Sequence, residues 1–216
     1  MIQLHYYPSN ASFAPHALLE ELGVPFELVL VDRKVGAHKS PAYLKLNPNG
    51  LIPTLVDGEL VLYEAAAICM HLADSHPQAG LAPAPGSAER AQFYKWMCWL
   101  TNTLQPMLIH FYYPERMVAP GNSAGAAEVK QRAEQRVVEL LAQIDDQLAS
   151  HGAPWLLGAR YGAADPFAFM LCRWTRNFAS KPAREFAHVG RWLQRVAARP
   201  ALQRAVATER LPAPLY

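Results

Sequence analysis

Two short stretches hold most of the residues able to do chemistry, and neither contains a cysteine. The first, Tyr7-Pro8-Ser9-Asn10-Ala11-Ser12-Phe13, sets hydroxyl and amide donors directly before an apolar pattern of helical spacing. A hydroxyl near a helix N-terminus can stabilise an anion, and it can equally act as an N-cap. The second stretch runs from Asn47 to Ile68 and contains Pro53, where a strand begins, and Glu64, where a helix begins. A proline at that place is either the tolerated first residue of a strand or an X-Pro bond in the uncommon cis form. Glu64 falls where unpaired N–H groups and the positive end of a helix dipole favour negative charge, which by itself describes many helix starts.

The other reactive types argue by exclusion. Cys69, Cys98 and Cys172 are far apart, odd in number and each set in an apolar run, the pattern of a reduced, cytoplasmic chain. His5, His16, His71, His76, His151 and His188 show no metal-ligand spacing, so no metal site is expected. With 20 basic and 18 acidic side chains and no run of five like charges, nucleic acid is not an expected partner. The start Met1-Ile2-Gln3-Leu4-His5 lacks the basic and apolar regions of a secretory signal, and no stretch approaches the ~18 apolar residues of a membrane span.

The elements that must position these residues can be read from periodicity. Ile2 to Tyr7 alternates as a strand, a helix runs from Asn10 or Ser12 to Leu22 before Gly23, and Phe26 to Val31 is a buried second strand. A unit of this length implies parallel pairing with a right-handed crossover. Ser40 to Leu46 predicts a short helix, Pro53 to Leu62 a hairpin turning at Asp57-Gly58, and Glu64 to Ser75 a third helix. This order fits a thioredoxin-like domain over 1–77. The Pro/Gly-rich residues 78–87 read as a linker, and from 88 to 216 only helical patterns occur, at about 88–113, 124–150, 165–179, 183–198 and 201–208.

The run Asn47-Pro48-Asn49-Gly50-Leu51-Ile52-Pro53-Thr54-Leu55, then Asp57-Gly58 and Tyr63-Glu64-Ala65-Ala66-Ala67-Ile68, resembles the glutathione transferase family. Gly36 to Pro41 upstream and Asp165 downstream extend the resemblance over essentially the whole chain. It implies an α/β N-terminal thioredoxin-like domain followed by an all-α C-terminal domain, glutathione as co-substrate, no metal, and a homodimer. It further implies that Ile52, presented by a cis bond to Pro53, pairs its backbone with the cysteinyl part of glutathione, as sheets do with extended peptides. Glu64 and the helix start at Ala65 would hold the γ-glutamyl group, and His38 and Lys39 the glycyl carboxylate. Ala65 replaces the family's usual serine, which removes one hydroxyl donor at a loss of roughly 1 kcal/mol.

Glutathione chemistry needs a thiolate, and a free cysteine thiol has a pKa near about 8.5, so a donor must stabilise the sulfur anion. The family places that donor in the loop after the first strand, where the aligned residue here is Ala11. Ser12 is the first expectation for the donor and Asn10 the second, with Ser9, Tyr6 and Tyr7 as further alternatives. The His-Lys pair of bacterial relatives is replaced by Gln105-Pro106, and Pro106 predicts a kink in a long helix. His110, Tyr112 and Tyr113 are candidates for an apolar acceptor pocket, Phe93, Trp96 and Trp99 for core packing. Asp165 reads as structural, with Gly162 at the position of a capping Ser or Thr. The function implied is attack of the glutathione thiolate on a small hydrophobic electrophile. The alternatives are a non-catalytic binding or regulatory relative, and a disulfide reductase or peroxidase that turns over glutathione without a protein cysteine.

Overall fold

The alternating run at the N-terminus forms β1 (Ile2–Tyr6), and the first structural unit is arranged around it. In the computed structural model, which describes residues 1–216, β1 pairs in parallel with β2 (Phe26–Leu30) and antiparallel with β3 (Thr54–Asp57). β4 (Leu60–Tyr63) pairs with β3 and completes the sheet in the order β2-β1-β3-β4. Parallel neighbours need a crossover. That crossover is α1 (Phe13–Leu22), which ends at Gly23 in the left-handed conformation with its N–H donated to the Leu19 carbonyl.

The register decides what meets at the end of the sheet. His5 lies opposite Thr54, and Thr54 lies opposite Tyr63. The loop that follows Tyr6, the Ile52–Pro53 bond that precedes Thr54, and Glu64 that follows Tyr63 are therefore brought to one end. α2 (Pro41–Leu46) is capped by Ser40, whose hydroxyl accepts from Tyr43 N at 3.2 Å, with Pro41 at its first position. α3 (Ala65–Ser75) follows β4. Leu4 and Leu55 from the sheet, Leu18 and Leu19 from α1, and Ile68 and Leu72 from α3 are all removed from water and make the core.

The chain divides into a first unit, Met1–Ala82 with Ala197–Pro212, and a second, Pro83–Val196 with Ala213–Tyr216. This corrects the expectation that 88–216 forms a single helical domain. α9 (Pro200–Thr208) belongs to the first unit: Arg199 pairs with Glu21 on α1, and Arg204 Nε lies 2.6 Å from Glu20 Oε2. Its periodicity is that of any short amphipathic helix, so nothing local distinguishes it from the helices of the second unit.

The second unit consists of α4 (Ala88–Trp99), α5 (Gln105–Tyr112), α6 (Ser123–His151), α7 (Ala164–Trp174) and α8 (Ala187–Ala197). The continuous helix predicted over 88–113 is instead interrupted by a π-helical stretch, Leu100–Leu104, in which Gln105 N donates to Leu100 O. The disturbance expected at Pro106 thus takes the form of a widened turn directly before a residue with no N–H to offer. α7 is buried from Ala164 to Arg173. Its Asp165 accepts from Leu156 N at 2.9 Å and Trp192 Nε1 at 2.8 Å through Oδ1, and from Gly162 N at 2.9 Å through Oδ2. Gly162 supplies no hydroxyl, yet the half of the capping box that needs only its N–H is formed.

Candidate functional site

The Asn47–Pro53 segment is braced by its own side chains. Asn47 is buried, donates from Nδ2 to Leu51 O at 2.9 Å and accepts Asn49 N at 3.0 Å, while Gly50 N closes a turn on Asn47 O at 2.9 Å. The Tyr43 hydroxyl donates to Leu51 O at 2.7 Å and lies 3.1 Å from Thr54 Oγ1. Burial pushes the Tyr43 pKa up, with the Thr54 contact opposing it, so the phenol keeps its proton. The Ile52–Pro53 bond is cis. The Ile52 side chain is buried with Val31 and Tyr43, whereas its main chain lies just outside the paired registers of β3.

Gly50 ties this segment to the basic loop. It has φ +59, and a Cβ there would fall 2.8 Å from the His38 carbonyl and 2.7 Å from Lys39 Nζ, a nitrogen that donates to Asn49 O at 3.2 Å. Gly50→Ala is expected to cost about 1–3 kcal/mol, because backbone must move as well as a side chain, and to raise the KM for glutathione. Denaturant unfolding and steady-state kinetics check both effects. Of the basic pair, Lys39 is exposed. The His38 pKa is pushed down by burial, then by Arg33 and Lys39, so at neutral pH the cation of the pair is Lys39.

Glu64 has φ 73 and ψ 109, a region that costs a non-glycine residue of order 1–3 kcal/mol and persists only where its surroundings hold it. It is exposed and makes no side-chain cap on α3. The first helical bond runs from Ile68 N to Glu64 O, which leaves the N–H groups of Ala65, Ala66 and Ala67 open at the helix start. An acid beside open N–H groups suits a ligand that carries an ammonium and a carboxylate together.

In the loop after β1 the two first-ranked donor candidates stand in different surroundings. Ser12 is fully buried, its hydroxyl donates to Tyr7 O at 3.1 Å and accepts from Tyr7 N at 3.2 Å. Its single proton is committed, and it makes no cap hydrogen bond on α1 either, so neither of its expected roles fits the geometry. Asn10 behaves differently. Its Oδ1 accepts from Ala11 N at 2.7 Å, and because that partner is a donor, Oδ1 is the atom turned to the backbone and Nδ2 is the amide's remaining donor. The Tyr6 ring lies tilted against His16 with centroids 6.3 Å apart, and Tyr7 packs against the Ile52 cluster, so both read as structural. The unit's one cysteine, Cys69, is fully buried and its thiol is pushed well above the ordinary range by burial.

The remaining candidates, His110, Tyr112 and Tyr113, lie in the second unit. The Tyr112 hydroxyl donates to Trp174 O, and Arg116 lies 4.0 Å from the Tyr113 ring centroid. Phe93 and Trp96 are core residues. No group of three or more His, Cys, Asp or Glu residues could hold a metal ion, and no helix is long and apolar enough to cross a membrane. Two determinants escaped the sequence: the Tyr43 phenol under Leu51, and Glu209, whose carboxylate accepts Ser9 N at 2.9 Å from the far end of the chain. The first had a local signal in its position four residues before the motif; the second had none.

A thioredoxin-like unit with a cis-proline loop, carried with an all-helical unit, defines the class as that of glutathione-transferase architecture. Residues 1–74 match the family model for the glutathione S-transferase N-terminal domain, and residues 96–200 that for the C-terminal domain. Glutathione S-transferase 3 of Zea mays is 36% identical over 203 residues, which cover 91% of this chain and 89% of that protein. Disulfide-bond oxidoreductase YfcG of Escherichia coli is 31% identical over 220 residues, 95% and 94% of the two chains. A solved sphingomonad glutathione S-transferase complexed with glutathione is 30% identical with a TM-score of 0.83, covering 97% of this chain and 100% of that one. This chain belongs to the glutathione S-transferase family of enzymes.

Proposed function

We propose that the protein activates glutathione as a thiolate for transfer to a small hydrophobic electrophile, with the Asn10 amide as the donor to sulfur. The observation that carries this reading is the fixed Asn10 amide: Ala11 N–H holds Oδ1, and Nδ2 remains for a ligand. Ile52 would pair main chain to main chain with the cysteinyl residue, Glu64 and the open N–H groups at Ala65 would take the γ-glutamyl ammonium and carboxylate, and Lys39 the glycyl carboxylate. The thiol proton leaves to solvent, the sulfur forms a bond to the electrophilic carbon, and the leaving group departs with its electron pair. His110, Tyr112 and Tyr113 would contribute to the acceptor pocket. The reading includes a cytoplasmic homodimer, and the chain's three cysteines are free.

Disulfide reduction is a second reading, favoured by the lack of an accessible thiol in the first unit and by similarity to a protein named as a disulfide-bond oxidoreductase. One glutathione thiolate would attack a disulfide and release one thiol, and a second glutathione would displace the other, leaving oxidised glutathione. Both reactions need the same activated sulfur. Asn10→Ala should raise the pH midpoint of bound-thiolate absorbance by about one to two pH units, since hydrogen bonds to charged groups contribute about 1.5–3 kcal/mol. The kcat/KM with an activated chlorodinitrobenzene should fall about 10- to 100-fold. An unchanged midpoint would remove Asn10 from the mechanism; no turnover and no glutathione binding in the unaltered protein would favour a non-catalytic relative.

A further inference from the structure

The loop that carries Asn10 is held partly by its own bonds, Asn10 N to Tyr7 O at 3.2 Å, Phe13 N to Asn10 O at 3.0 Å, and the Ser12 hydroxyl to Tyr7. Ser9, the residue directly before Asn10, stands at φ 63. A serine adopts that conformation only where something fixes it. Ser9 N donates to Glu209 Oε2 at 2.9 Å, and the other carboxylate oxygen, Oε1, lies 2.9 Å from His16 Nδ1. Both the His16 and Glu209 side chains are wholly shielded from solvent. A carboxylate only accepts, so the proton of that contact sits on His16 Nδ1.

Glu209 reaches this point because α9 delivers it. Its own N–H bonds Ala205 O at 3.0 Å, and the Arg199–Glu21 and Arg204–Glu20 pairs secure α9 on α1. His16 stands on α1, with Nε2 3.9 Å from Glu20 and its ring 6.3 Å from Tyr6 and 5.9 Å from Phe26. One acid from near the end of the chain thus links the residue before Asn10 to the helix after it. A buried carboxylate is stable only while its donors are in place, and so the arrangement holds both donors in return.

We infer that Glu209 is a positioning residue for thiol activation: by fixing Ser9 it sets the direction of the Asn10 amide, without touching glutathione. The inference rests on the reading of Asn10 as the sulfur donor. It makes α9 a part of the catalytic apparatus of the first unit and not only a packing helix.

The test is thiolate absorbance against pH for glutathione bound to the full chain, in the unaltered protein, Glu209→Met, Glu209→Gln, Asn10→Ala and the Asn10→Ala/Glu209→Met double variant. Glu209→Met removes both acceptors at similar shape and should raise the midpoint by about half to one pH unit, part of the effect of a charged hydrogen bond. Affinity for glutathione below the midpoint should stay near the unaltered value, which a general loss of structure would not allow. Glu209→Gln keeps one oxygen for Ser9 N–H, with His16 free to present its other tautomer to the amide, and should return the midpoint toward the original. The double variant should stand no higher than Asn10→Ala alone. An unaltered midpoint in Glu209→Met beside a raised one in Asn10→Ala would overturn the positioning role and leave Asn10 intact, as would additive shifts. An unaltered midpoint in Asn10→Ala would overturn the donor assignment itself. Should Glu209→Met not fold, Glu209→Asp withdraws the carboxylate by one methylene and is read in the same way.

Discussion

Glu64→Ala should weaken glutathione binding about 100-fold while leaving the fold intact. Glu64 is exposed, caps nothing, and sits at φ 73, a conformation with no evident use to α3 itself. An alanine there bears the same backbone cost, so stability should hardly change. What is lost is the acid beside the open N–H groups, and a charge-assisted contact to an ammonium contributes about 1.5–3 kcal/mol, or roughly 10- to 150-fold in affinity. The N–H groups at Ala65 and Ala66 remain for the carboxylate, so some binding should survive. Calorimetric titration measures the change. In kinetics it should fall on KM for glutathione far more than on kcat, because the γ-glutamyl contact is equally present before and during sulfur transfer. An unchanged affinity would mean that glutathione, if bound at all, sits elsewhere.

Asp165→Ala should produce the largest loss of stability of any single change in the second unit. The carboxylate is buried and serves three donors from three places, Leu156 N, Gly162 N and Trp192 Nε1. Removing it strands all of them away from water, and unsatisfied buried donors cost about 1–3 kcal/mol each. The sum is expected at about 3–5 kcal/mol, since partial relaxation and water entry reduce a simple addition. For a chain of this length that corresponds to a fall of roughly 10 °C in Tm. Scanning calorimetry reads it directly. Asp165→Asn keeps one acceptor oxygen and should recover part of the loss, whereas equal Tm values for all three proteins would show that the contacts carry no net stability.

Much of the site was legible because its determinants are local. Asn47 to Gly50 is a turn by composition, Pro53 opens a strand, and Glu64 opens a helix; each signal spans a few residues and needs no knowledge of the rest of the fold. The hairpin then brings Ile52 and Glu64 together through the register of Thr54 opposite Tyr63. The direction of the Ser12 hydroxyl was not legible, for a physical reason. Whether its hydroxyl faces a ligand or the backbone of Tyr7 depends on the turn made by the four intervening residues, and several turns have the same composition. Asn10 carried the opposite lesson, since the direction of an amide is set by a single neighbouring N–H that periodicity does not reveal. Pro106 was legible as a disturbance, though not as a π-helical stretch before it. Glu209 and α9 lay beyond reading: their partners on α1 and at Ser9 stand almost the whole chain away, and pairing at that distance leaves no pattern along the sequence.

The most direct test is a crystal structure of the protein with glutathione. The sulfur should lie within hydrogen-bond distance of Asn10 Nδ2, with the cysteinyl backbone paired to Ile52 and the γ-glutamyl group at Glu64 and the N–H groups of Ala65 and Ala66. A sulfur facing Ser12 Oγ or the Tyr6 phenol, or a ligand bound away from this end of the sheet, would contradict it.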